Sequence, residues 1–259
     1  MPAFWVLMRK ELLESWRTYR LPVVAGLFLL VGLSSPLLAR FLPEIITAAT
    51  GDSLPPIQLP PPTAADAVDQ VQKNLGQFGA LTAILLAMGA IAGELERGTA
   101  AFILSRPVRR GTFVATKALS IGLVLFLATV VAVAVGWVYT AILFEPAAVG
   151  GWVGLALLTW LALAAWAAVT FLASAITGSA IGAGGLGFVA LLVLSIAAVV
   201  PAIARLTPAG LTEPALALAT GRGTVASLGL DLWLPVASTL ILIAACVVGA
   251  WAALRRREV

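Results

Sequence analysis

The sequence predicts an all-α integral membrane protein with six transmembrane helices and both termini in the cytoplasm. Three observations carry that reading. Hydrophobic residues make up 61% of the 259 residues and charged ones only 11%, with a mean hydropathy of +1.05, far from the balance of a water-soluble domain. The apolar residues fall in blocks long enough to cross about 30 Å of hydrocarbon, which takes about 20 helical residues. Lysine and arginine concentrate on alternate connections between those blocks, as cytoplasmic loops do.

Residues 1–20, MPAFWVLMRKELLESWRTYR, interleave charged and apolar residues and so differ from a cleavable signal. They predict an amphipathic interfacial helix. At 100° per residue Trp5, Met8, Leu12, Trp16 and Tyr19 share a stripe roughly 80° wide, with Lys10, Glu11, Glu14, Arg17 and Thr18 opposite. Such a helix either anchors along the inner leaflet or packs on a partner's cytoplasmic surface. A six-helix transmembrane domain follows over residues 21–259, with spans at about 21–41, 75–93, 113–144, 151–173, 180–204 and 232–254.

The external loop 42–74 carries Pro43, Pro55, Pro56, Pro60, Pro61 and Pro62, which exclude a regular element across its centre. Thr63 can cap a short helix through Ala64, Ala67, Val68 and Val71 that leads into the second span. In the external loop 205–231, Thr212, Glu213 and Pro214 form a helix start and Gly221-Arg222-Gly223 a break, which predicts a short helix tucked into the outer surface or dipping back in.

With both termini inside, 12 of the 16 basic residues are cytoplasmic, and the net charges of the two sides, +7 inside and −3 outside, sum to the formal +4. The basic balance therefore reflects topology, and no nucleic-acid partner is implied. The single cysteine, Cys246, lies in an apolar block and reads as a packing residue.

The residue inventory leaves little room for chemistry in this chain. There is no histidine, one cysteine and no HExxH, so a metal site is not expected, and neither a catalytic residue nor a cofactor is predicted. No Asp, Glu, Lys or Arg occupies a block centre, which argues against an ion-coupled carrier. Gly182 to Gly187 fits GxGxxG, but no strand precedes it and no acid follows about 20 residues on. Small residues at Gly178 and Gly182, Gly89 and Gly93, and Gly150 and Gly154 suit close helix approach instead. Trp152, Trp233 and Trp251 fit an aromatic belt, while Trp160 and Trp166 lie deeper and read as packing. Thr and Ser residues in the spans, Ser174 among them, either line a path or, more commonly, bond neighbouring helices.

The remaining feature is the cytoplasmic loop 94–112. It opens with ELERGTAAFILSRPVRR, Glu94 to Arg110. Thr99 can cap a two-turn helix over Ala100 to Ser105, and Pro107 turns Arg106 away from helix. Phe102, Ile103 and Leu104 give that stub an apolar surface, flanked by Glu94, Glu96, Arg97, Arg106, Arg109 and Arg110. An apolar tip with charged flanks suits docking into a groove on another protein; a solvated turn holding positive-inside arginines is the plainer alternative. No Walker A sequence is present, since none of Lys10, Lys73 or Lys117 follows a glycine.

Glu94, Glu96, Gly98, Thr99, Ser105, Pro107, Val108, Arg110 and Lys117 follow in order a pattern of two acids, Gly-Thr, a Ser-x-Pro-Val-x-Arg run and a lysine entering the third span. In this the chain resembles the permease subunits of the type-2 class of ATP-binding-cassette (ABC) exporters, and its LSRPVRR wording is similar to the branch that includes the nitrous-oxide-reductase maturation permease. The resemblance implies a permease that pairs with a second copy or a close relative, in the bacterial inner membrane. Two copies of a separate ATPase subunit would bind ATP and magnesium. Residues 94–110, with Glu94, Glu96, Gly98, Thr99, Phe102, Leu104, Ser105, Arg106, Pro107, Arg109 and Arg110, would form the coupling helix, steadied by the N-terminal helix. A stand-alone channel or secondary carrier for a small or amphipathic solute, and a membrane enzyme or scaffold, are the other classes considered.

Overall fold

A computed structural model describes residues 2–50, 61–98, 109–144 and 148–256. Among these residues every regular element is helical, and six helices are long and apolar enough to cross a membrane. Helix α1 (Pro2–Arg17) precedes the first span, α2 (Arg20–Thr50). The second is α3 (Ala64–Met88), which breaks and resumes as the short α4 (Ala92–Glu96). The third and fourth are α5 (Arg110–Leu143) and α6 (Val149–Thr177), and the fifth is α7 (Ala180–Ala197). Short elements α8 (Pro201–Ala204), a 3-10 turn (Pro208–Leu211), α9 (Thr212–Ala219) and α10 (Val225–Leu228) lead to the last span, α11 (Leu230–Arg255).

The proline-rich connection is shorter than its composition suggests, because both flanking helices run on into it. Helix α2 continues through Pro36 and Pro43 to Thr50. Local side chains cover backbone acceptors there: Ser35 Oγ donates to the Val31 carbonyl (2.6 Å) and Thr47 Oγ1 to the Pro43 and Glu44 carbonyls (3.0 and 2.9 Å). Each proline lacks the N–H that would bond the carbonyl four residues back, that of Gly32 for Pro36 and of Ala39 for Pro43, an interruption that spanning helices tolerate. From the other side, Thr63 and Asp66 form a reciprocal capping box at the start of α3, which fixes where that helix begins. The polar first turns of α3 are held by Asn74 Nδ2 donating to Ser35 Oγ (2.9 Å) and Thr159 Oγ1 donating to Gln72 Oε1 (2.7 Å). These bonds join the first, second and fourth spans.

The fifth span is shorter than the apolar run 180–204. Helix α7 ends at Ala197 and Val200 is extended (φ −84°, ψ 116°) ahead of Pro201, since proline disfavours helical geometry in the residue before it. Outside it, α9 lies against α6 so closely that a Cβ on Gly151 would come within 2.1 Å of the Leu218 carbonyl oxygen. The close approach thus falls on Gly151 and not on Gly150, around which a Cβ would meet nothing within 4 Å. Gly178 serves as a left-handed C-cap (φ 66°) for α6. The core runs along α2, α3, α5 and α6 and includes Phe28, Leu75, Leu125, Leu155, Leu163 and Phe171. Trp152 belongs to this core, at 2% exposure, and not to an interfacial belt. Its ring lies against Gly136, where a Cβ would be 3.5 Å from it, and a belt tryptophan would keep its edge at the headgroups.

Candidate functional site

The side of the bundle that carries both termini gathers the charged residues. There the second span is interrupted over Gly89–Ile91, and a broken helix leaves backbone groups without partners. Ser174 of α6 supplies them. Its Oγ accepts the N–H groups of Ile91 (3.2 Å) and Ala92 (2.9 Å) and donates to the carbonyl of half-buried Met88 (2.8 Å); Ser174, Ile91 and Ala92 are all at 0% exposure. One hydroxyl therefore sets the angle at which α4 leaves α3.

Helix α4 carries Glu94 into a buried position between α1 and α5. Lys117 Nζ lies 2.7 Å from Glu94 Oε1, and their side chains are 5% and 6% exposed. Lys117 also donates to both oxygens of Glu11 (3.2 and 3.3 Å) and lies 5.2 Å from the Phe113 ring centroid. Lys10 completes the cluster, with Nζ 3.0 Å from Glu11, 3.0 Å from Glu14 and 3.3 Å from Glu94. Two lysines and three carboxylates from three helices thus meet in one network. Burial opposes the charge on Lys10, but its bonds to Glu11 and Glu14 raise its pKa well above the ordinary 10.5. Burial likewise acts against ionised Glu14, yet Lys10 holds its carboxyl below the ordinary 4.5.

This arrangement turns α1 over relative to the simplest reading of its pattern. The charged stripe Lys10, Glu11 and Glu14 faces the protein, and the aromatic stripe faces outward: Trp5 is 68%, Trp16 62% and Tyr19 72% exposed, with Met8 and Leu12 half-buried. Outward aromatic rings suit the membrane boundary, while the ions find partners instead of water. Tyr19, at φ 59°, makes the turn between α1 and α2 in the left-handed region that side chains rarely occupy.

The other loop residues contact different spans. Glu96 Oε1 accepts the Ala180 N–H (3.0 Å) at the first turn of α7, where a helix presents partial positive charge. Arg97 Nε donates to the Gly93 carbonyl (2.8 Å), and Gly98 closes the turn after α4 at φ 69°, a conformation that favours glycine. Arg109 is the exposed N-cap of α5. Arg110 Nη1 donates to the carbonyls of Leu254 (2.7 Å) and Arg255 (3.2 Å) at the end of α11, a cation at a helix C-terminus. Thr99, Phe102, Leu104, Ser105, Arg106 and Pro107 lie outside the described residues. Among the described residues no group of His, Cys, Asp and Glu could hold a metal.

Lys10, Glu11, Glu14 and Ser174 join the site although the loop pattern does not include them. Their link is tertiary: Lys10 and Glu94 are 84 residues apart and Lys117 and Glu11 are 106 apart. The one sequence signal was the position of Lys10, Glu11 and Glu14 on a single helix face.

The chain matches the ABC-2 family transporter protein over residues 5–259. It belongs to that family. Among curated relatives of this ABC-2 protein, an uncharacterized transmembrane protein YxlG of Bacillus subtilis (strain 168) is 29% identical over 150 residues, covering 57% of each chain. A probable ABC transporter permease protein NosY of Pseudomonas aeruginosa is 31% identical over 138 residues, 51% of this chain and 43% of the relative. The chain thus spans about half the length of the curated relatives it matches. An ABC-2 transport component with six apolar helices is a multi-pass membrane protein.

Proposed function

We propose that this ABC-2 protein is the permease subunit of an ATP-driven exporter in a bacterial inner membrane. It forms the translocation path with a second permease, most simply another copy, and takes its energy from a separate ATPase subunit, bound in two copies with ATP and magnesium, which hydrolyses the nucleotide. No catalytic role falls to this chain. The segment 94–110 is the contact with the ATPase.

The observation that supports this reading is how the two ends of that segment are held. Glu94 joins α1 and α5, Glu96 joins α7, and Arg110 joins α11. A displacement applied between residues 98 and 109 would therefore reach four helices through polar contacts. For ATP to drive transport, the ATPase must offer this segment different contact energies in its ATP-bound and ATP-free states, since equal affinity for both shifts nothing. The name of the Pseudomonas aeruginosa relative, a probable ABC transporter permease, points the same way.

The test is to express the full chain with the products of its neighbouring genes and purify it from the membrane. Co-purification of a Walker-A-bearing protein with nucleotide-hydrolysing activity supports the proposal. Solute movement up a gradient by the chain alone in liposomes, with no nucleotide consumed, would instead make it a carrier.

A further inference from the structure

A groove of about 730 Å³ opens between α5, α6 and α11, on the half of the bundle nearest the termini. Small residues line it, Ala118 and Gly122 on α5 with Ala164 and Ala168 on α6, and Phe126 and Phe171 add aromatic wall. The only indole within it, Trp160, donates its N–H to the Gly122 carbonyl (2.9 Å) and meets Phe126 edge-on at 5.4 Å. Its polar atom is thus turned to the wall, and apolar surface is left facing the groove.

The dimensions fit one leaflet. Groove residues on α5 run from Ala115 to Phe126, about 16 Å at 1.5 Å per residue, against about 15 Å for half a hydrocarbon core. Its volume lies within the range of about 300–1,000 Å³ of sites that enclose small molecules.

The mouth of the groove is basic. On α11, Val247 lines the groove, Trp251 is one turn nearer the terminus and Arg255 one turn beyond that. Trp251 lies against Gly111, one turn below Ala115, where a Cβ would be 3.4 Å from its Nε1. The Arg255 guanidinium stacks 4.8 Å over the Trp251 ring; Arg256 follows it in the chain and Arg109 precedes the Arg110 that bonds the Leu254 and Arg255 carbonyls, both exposed. No acidic residue occurs in 109–117 or 247–256. Basic residues beside an apolar slot at the inner surface recognise anionic headgroups.

We propose that this groove binds an anionic phospholipid of the inner leaflet, one acyl chain along Gly122 and Trp160 and the headgroup phosphate at Arg255 and Arg256. The lipid is a resident of the site and packs three spans together. The inference does not depend on coupling to an ATPase.

The experiment uses the purified full chain in phosphatidylcholine vesicles containing a trace of phosphatidylglycerol with a diazirine in its acyl chain. After irradiation, the labelled peptides are identified by mass spectrometry. Label is expected to concentrate on residues 115–126 and 160–171, to be competed by unlabelled phosphatidylglycerol, and to persist in excess phosphatidylcholine. Arg255→Gln with Arg256→Gln should weaken that competition about fivefold for each arginine removed; glutamine leaves the Arg255 carbonyl free to accept from Arg110. Gly122→Phe should abolish the label, and because a Cβ there meets nothing within 4 Å the ring fills the groove instead of displacing a helix. Even labelling of all six spans, equal competition by phosphatidylcholine, or unchanged labelling of Gly122→Phe would overturn the proposal.

Discussion

Lys117 Nζ sits 2.7 Å from Glu94 Oε1 with both side chains about 95% withdrawn from solvent, so the third span and the start of the cytoplasmic loop are joined by a buried ion pair. A buried pair is weak evidence of net stabilisation, but removing one member strands the other charge, at a cost of about 3–5 kcal/mol. Glu94→Gln and Lys117→Met should therefore each lower the thermal stability of the purified protein strongly. The double variant should recover a large part of the loss. Additive losses in this double-mutant cycle would mean the pair is not coupled.

Ser174 carries the break in the second span. Ser174→Ala leaves two N–H groups and one carbonyl of the break without their partner, and each buried unsatisfied group costs about 1–3 kcal/mol. Faster amide hydrogen exchange is expected at Ile91 and Ala92, with the distant cap at Thr63 unaffected. Unchanged exchange at Ile91 and Ala92 would show that water or another group replaces the hydroxyl.

A close backbone approach gives a sharper steric test. A Cβ on Gly32 would lie 2.2 Å from the Ala132 carbonyl oxygen, whereas one on Gly26 meets nothing within 4 Å. Gly32→Ala should force α2 away from α5 and cost several kcal/mol, in the manner of overpacked cores. Gly26→Ala, on the same helix, should be neutral or slightly stabilising. Membrane expression and melting temperature of the two variants decide the matter, and equal behaviour would contradict the packing of α2 on α5.

The charge cluster implies a pH window for the docking of α1. Glu14 has a lowered pKa in the folded chain, so its stabilising effect is present above about pH 4.5 and is lost as pH falls through the lower folded value. Lys10 has a raised pKa, so its effect is complete below about pH 10.5 and is lost only above it. Between those limits the attachment of α1 should be insensitive to pH. Proteolysis of α1 in detergent, followed from pH 4 to pH 9, should accelerate only at the acid end, and Glu14→Gln should remove that acceleration. A transition near pH 6.5 would require a different titrating group, and the chain has no histidine.

Much of the architecture was legible because its causes are local. Apolar block length marks six spans, and Thr63 announces the start of α3, to which the structure adds the reciprocal bond from Asp66 three residues on. Counting apolar residues past Pro201, by contrast, overextends the fifth span, because hydropathy carries no information on the backbone angle that proline imposes on Val200. Periodicity separates the two faces of α1 without saying which one meets protein. In a membrane the aromatic face already has a solvent, so the charged face is the one that needs partners. Of the site, Glu94, Glu96 and Arg110 stand out as charged flanks of the cytoplasmic loop, and Lys117 enters only through the family resemblance that the loop carries. Ser174 does not, since the N–H groups it receives exist only because α3 breaks beside it.

On the function proposed above, the segment 94–110 meets a separate ATPase. The most direct measurement places a photo-crosslinking amino acid at Phe102 in the complex purified with its neighbouring gene products, with Ile142, exposed near the far end of α5, as control. The expected result is a crosslink from position 102 to the nucleotide-hydrolysing subunit, changed in yield by ATP, and none from position 142. No crosslink from position 102 to that subunit, in a complex that still hydrolyses ATP, would contradict the account.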